Sequence, residues 1–244
     1  MKKKLLALSL GICLVAGCLS GCVDYDYVPV DTETDRIMED EKGVGMPNLT
    51  RTLPVHGEDF SLICKYDTGK YSLKDWHVTD MKSINMDVHT KDLPEGYDVI
   101  VEHMHADISL VSTSAQLNGI TQDSMDNSFH GTSQDGFAVD DKTSYYRTFG
   151  IEGYTDQFYE LWGYAFGGSG TMDSDYERLT EHNIINSGTY AERLSVVYDL
   201  AIKAPGDTKY HSVSVSDNIL IPVSTDLSER TQTVEDKHKT ERRN

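Results

Sequence analysis

The residues best equipped for chemistry are His103, His105 and Asp107, in the stretch VEHMHADISL. On a β-strand, side chains two positions apart project from the same face. Two imidazoles and a carboxylate would therefore point together, a partial ligand set for zinc or another divalent metal. A complete site needs a further ligand, for which His89 on the preceding strand and His130 in NSFHGTSQDG are candidates. The same stretch also reads without chemistry. Ile100, Met104, Ala106, Ile108 and Leu110 alternate toward one face, so the polar residues between them must face water. The Asp- and Asn-rich loop from Gln122 to Asp141 offers oxygen ligands for calcium, but its Gly and closing Glu are out of step with an EF-hand, and solvated turns account for it. A hydrolase triad has no anchor, because no G-x-S-x-G elbow occurs. Gly167-Gly168-Ser169-Gly170 lacks the Lys and Ser/Thr of a phosphate loop. No cofactor is implied. The reading is a binding or structural module, with a metal-dependent hydrolase or metal carrier on the HxHxD strand as the alternative.

Aromatic residues are dense between 145 and 166. Phe158, Leu161, Trp162 and Phe166 recur at helical spacing and belong to a core. Tyr154, Tyr159 and Tyr164 remain as ring faces that could stack on a sugar or a peptide.

The elements that must hold these residues are mainly strands. Phe60, Leu62, Cys64 and Tyr66 alternate in DFSLICKY, SINMDVHT follows, and the turn Leu93-Pro94-Glu95-Gly96 leads into the strand bearing His103. Tyr190, Leu194, Val196, Tyr198, Leu200 and Ile202 alternate, Ala204-Pro205-Gly206-Asp207 turns the chain, and Val213, Val215, Ile219, Ile221 and Val223 alternate again, which predicts a long hairpin. A helix is expected after Thr155, and Ser174-Asp175-Tyr176-Glu177 is a capping-box pattern opening a second one to about Asn183. The expected fold is an antiparallel β-sandwich with a mid-chain insertion of two short helices. The expected organisation is a signal at 1–21, an acidic tether at 22–55, the sandwich domain at 56–224 with its insertion at about 120–188, and a polar tail at 225–244. The closing hairpin, beginning GTYAERLSVVYDLAI, resembles the end of immunoglobulin-like domains in lipoproteins of Gram-positive bacteria, which implies an immunoglobulin-like sandwich.

The chain has 244 residues, with 22 basic and 40 acidic side chains and a net charge of −18. Such acidity repels nucleic acid and anionic lipid and argues against both as partners, so no nucleic acid is expected. Solute-binding lipoproteins of importers show alternating strand and helix patterns, which are missing here. Of the four cysteines, Cys64 sits on the apolar face of its strand and is expected in the core.

Lys2, Lys3 and Lys4 precede the apolar run LLALSLGICLVAG, the layout of an export signal and too short for a comfortable membrane span. Leu19-Ser20-Gly21-Cys22 resembles the lipobox of bacterial lipoproteins, and Val15-Ala16-Gly17-Cys18 resembles it too. The resemblance implies cleavage between Gly21 and Cys22 and a diacylglyceryl group on the Cys22 thiol, with Cys18 as the alternative. Two acyl chains make a durable anchor where one is marginal. The expected location is the outer side of the cell membrane, facing an envelope protein or a cell-wall partner.

Overall fold

The computed structural model describes residues 36–38, 47–128, 136–154 and 180–228. Ten strands run in order: β1 (Arg36–Ile37), β2 (Asn48–Pro54), β3 (Ser61–Asp67), β4 (Lys82–Lys91), β5 (Asp98–Ser112), β6 (Thr121–Ser128), β7 (Phe137–Ala138), β8 (Tyr145–Ile151), β9 (Thr189–Lys203) and β10 (His211–Pro222). A 3₁₀ turn at Leu73–Asp75 and the helix α1 (Glu181–Asn186) complete the described elements. The strands form two sheets in a sandwich-like arrangement. The first has the order β1-β10-β9-β5-β6, with β7 also paired to β5, and the second is β2-β3-β4-β8. All pairs are antiparallel except β1 with β10.

Period-two patterning builds this directly. Leu62, Cys64 and Tyr66 on β3 and Ile84, Met86 and Val88 on β4 point inward from one sheet. Met104, Ala106, Ile108 and Leu110 on β5 and Leu194, Val196, Tyr198 and Leu200 on β9 meet them from the other, in one core. Each large apolar side chain buried there contributes about 1.5–3 kcal/mol. The β9–β10 connection turns where the sequence says it should. Asp207 N–H donates to Ala204 O at 3.1 Å, and Gly206 takes φ +92° after Pro205, the type II signature. Among the described residues no helix is long and apolar enough to cross a membrane.

Four expectations change. Ile100 does not share a face with Met104. Val101 pairs with Leu200 and His103 with Asp199, so Glu102 is an extra residue, a β-bulge that reverses the phase of the strand. Val99 and Val101 therefore point inward beside Met104, while Ile100 lies against β7 on the other face. Tyr190 likewise leaves the core-facing set, because the β5–β9 pairing passes from Ala191 to Thr189 and skips it, leaving it exposed. The sheets also begin earlier than residue 56: β1 and β2 lie within the segment read as a tether, and Arg51 of β2 reaches into the core. Finally, β6, β7 and β8 occupy much of the stretch read as a helical insertion. The helix expected after Thr155 lies outside the described residues, and α1 runs from Glu181 rather than from the capping-box pattern at 174–177, also outside them.

Candidate functional site

β5 lies between β9 and β6, and its outer face carries His103, His105 and Asp107 together, as their spacing predicts. Register brings further groups to them. His103 Nδ1 lies 2.8 Å from Asp199 Oδ2 on β9, and its Nε2 lies 3.2 Å from Asp126 Oδ2 on β6. His105 Nδ1 is 3.6 Å from the same Asp126 oxygen, and its Nε2 is 4.0 Å from Asp107. Ser214 of β10 donates to Asp199 at 2.6 Å. Partial burial pulls the His103 pKa down, but hydrogen bonds and charge from Asp199 and Asp126 outweigh it and the net direction is upward. Both ring nitrogens of His103 are thus engaged by carboxylates, and the ring bridges three strands. Among the described residues no group of three His, Cys, Asp or Glu side chains is arranged to hold a metal ion. His89 cannot complete such a set. β4 belongs to the other sheet, where His89 Nδ1 faces Asp87 at 3.4 Å. His130 lies outside the described residues.

A second group of ionisable residues sits between the sheets. Lys82 at the start of β4 and Glu192 on β9 have side chains 1% and 0% exposed, paired at 2.9 Å. The other Glu192 oxygen accepts the indole N–H of buried Trp76 at 2.8 Å, and the Lys82 ammonium lies 4.9 Å from the Trp76 ring. Lys82 also donates to the carbonyl of His77 at 2.6 Å. Burial pushes the Glu192 pKa up, against the opposing pull of Lys82 and Trp76.

His77 carries this group to the surface. Its Nδ1 faces Glu181 Oε1 of α1 at 3.4 Å, with side chains 12% and 6% exposed. Thr79 donates to the other Glu181 oxygen at 2.9 Å. Gly153 fits against the backbone of this loop: a Cβ there would lie 1.9 Å from Thr79 O. On its outer side His77 lines an open cleft of about 1080 Å³, walled by Leu73, Asp80, Val223, Thr225 and Asp226 among others. The chain after β10 is held to the loop by Ser224 N–H donating to Trp76 O at 2.8 Å. Asp226 accepts from Ser228 N–H and Oγ, which lowers its pKa; His77 adds a smaller pull. His77 thus stands between the buried Lys82–Glu192 pair, which it reaches through its carbonyl, and the open cleft that it lines.

No family model matches the chain. No curated protein matches it either. A crystal structure of a protein from Archaeoglobus fulgidus is similar, at 10% identity over 67% of this chain and 95% of that one, with a TM-score of 0.26. A likeness of that degree assigns neither fold nor function.

The other site residues read from sequence fare differently. Tyr154 is buried in the core cluster, so its ring is not presented to a ligand. Tyr145 and Phe149 are buried too, and Tyr146 is the exposed ring on β8. Tyr159, Tyr164, Cys18, Gly21 and Cys22 lie outside the described residues. Cys64 is buried, as its strand position predicts. The Lys82–Glu192 pair was missed, although its signal was present. Lys82 is in phase with Ile84 and Met86, and Glu192 with Leu194 and Val196, so two opposite charges stand at core-facing positions.

Proposed function

We propose that the chain is a lipid-anchored extracytoplasmic protein of the cell envelope, whose sandwich domain acts as a binding module. The observation that carries this reading is the order of features at the amino end: three lysines, a short apolar run, then Leu19-Ser20-Gly21-Cys22. Removal of Lys2, Lys3 and Lys4 with the signal would leave a net charge of −21, a body that stays in water unless covalently attached to lipid. The polar outer face that carries His103, His105 and Asp107, and the open cleft beside His77, support a binding role. The metal-dependent alternative lacks support, because His103 has both nitrogens occupied by carboxylates.

Mass spectrometry of protein isolated from membranes tests the anchor. The expected amino-terminal peptide begins at Cys22 and carries the mass of a diacylglyceryl group. Replacement of both Cys18 and Cys22 by serine moves the protein from the membrane to the soluble fraction. An unmodified amino terminus, or a double variant that stays membrane-bound, overturns the reading.

A further inference from the structure

We propose that His103 is a proton-operated clasp: charged, it fastens the edge strand β6 to β5 and β9, and neutral, it releases the carboxyl-terminal half of β6. The charge of the ring follows from its neighbours. An ionised carboxylate only accepts hydrogen bonds. Asp199 Oδ2 lies 2.8 Å from one ring nitrogen and Asp126 Oδ2 lies 3.2 Å from the other, so both nitrogens donate and the ring is an imidazolium. Partial burial works against that charge, but the two aspartates outweigh it, and the ring keeps its proton above the usual 6.5. A group whose folded pKa is raised contributes stability that is complete below its unfolded pKa and lost as pH rises through the folded one. The clasp is therefore closed below about 6.5 and opens above it.

A neutral ring has a single N–H. It stays with Asp199, the shorter contact and the less exposed aspartate, whose other oxygen is held by Ser214. The ring's lone pair then faces Asp126, and attraction gives way to repulsion. β6 ends the order of its sheet, and its two halves are held differently. In the amino-terminal half, Gln122 donates to Val78 O at 2.8 Å and Asp123 accepts from Glu152 N–H at 2.9 Å, contacts that involve no histidine. The carboxyl-terminal half carries Asp126, and Ser128 pairs with His103 itself. Among the described residues, the titratable groups that face His103 are Asp126 on β6, Asp199 on β9 and His105 on β5, whose ring is stacked on it at 6.5 Å. His105 also approaches Asp126, at 3.6 Å, and Asp107 lies beyond it. Glu102, next to His103 at the bulge, has the sign of the two aspartates. β10 brings neutral Ser214, and β7 brings Phe137 and Ala138. Arg193 and Lys203 stand on the same face toward the two ends of β9.

The clasp needs neither a ligand nor a lipid, so its failure leaves the binding module and its anchor untouched. The full chain is followed by NMR between about pH 5 and about pH 9, a range in which carboxylates are ordinarily ionised. Ring resonances, assigned with His103→Gln, give the titration midpoint of His103. Amide exchange, corrected for its intrinsic pH dependence, gives the protection of β6. The expected midpoint lies above 6.5. Protection of the amides of residues 125–128 falls about threefold through that midpoint, the size expected of an exposed ion pair, while that of 121–123 does not change. The step at 125–128 disappears in His103→Gln. It disappears also in Asp126→Asn, which keeps the His103–Asp199 contact and moves the His103 midpoint down. A wild-type midpoint below 6.5, equal protection of 125–128 on both sides of it, or a step that survives in either variant overturns the proposal.

Discussion

At the scale of single residues, the informative feature is that charges occupy core-facing positions and are answered there. Removing one partner of a buried pair leaves the other unpaired, at about 3–5 kcal/mol, whereas replacing both by apolar groups is close to neutral. Lys82→Met alone is therefore expected to lower unfolding free energy in urea by about that amount, and adding Glu192→Leu to recover only part of it, because the Trp76 indole N–H then loses its acceptor. Asp217 on β10 repeats the theme, pairing with Arg51 at 3.0 Å beside Tyr66. Burial raises the Asp217 pKa more than Arg51 and its hydrogen bonds lower it. An acid whose folded pKa lies above its unfolded value, about 3.9, contributes stability that is present below that value and lost as pH rises through the folded one. Asp217→Asn should then flatten the fall of unfolding free energy from pH 4 upward. An unchanged slope would show that Asp217 does not titrate in that range.

At the scale of elements, β5 sets the geometry of the outer-face cluster and of much of the core. Its bulge at Glu102 lets Val99 and Val101 face inward on one side, and Met104 and Ala106 on the other, although their numbers differ in parity. Deleting Glu102 restores strict alternation and forces one of these pairs outward. At about 1.5–3 kcal/mol for each large apolar side chain lost from the core, the deletion is expected to reduce stability by more than about 3 kcal/mol in urea unfolding. A smaller loss would mean that the strand re-forms the bulge elsewhere. The HxHxD motif was legible while its partners were not, and the bulge is not the reason. Side chains two apart always share a face, but the neighbours Asp126 and Asp199 depend on which strands flank β5 and in what register.

At the scale of the whole molecule, the body begins closer to the proposed anchor than composition suggests. The acidic run looked like a spacer to residue 55, yet Arg36 and Ile37 already pair with β10. If Cys22 is the lipidated residue, 23–35 is the segment before the first paired strand, a reach of at most about 45 Å. A chain beginning at residue 56 would lose β1, β2 and Arg51, leaving Asp217 without its cation. Compared with a chain beginning at residue 36, its melting temperature should fall by at least about 6 °C, the shift expected for about 3 kcal/mol in a domain of this size. Equal melting temperatures would return β2 to the tether.

The sequence alone determined which side chains point inward along most strands, the turn at Pro205-Gly206 and the burial of Cys64, because alternation and turn chemistry are local properties of the chain. Only the tertiary structure decided that β4 and β5 lie in different sheets, that a bulge reverses β5, and that Lys82 meets Glu192 and His77 meets Glu181. Those outcomes depend on contacts between residues about a hundred positions apart, and no short-range pattern encodes which distant strand supplies the partner.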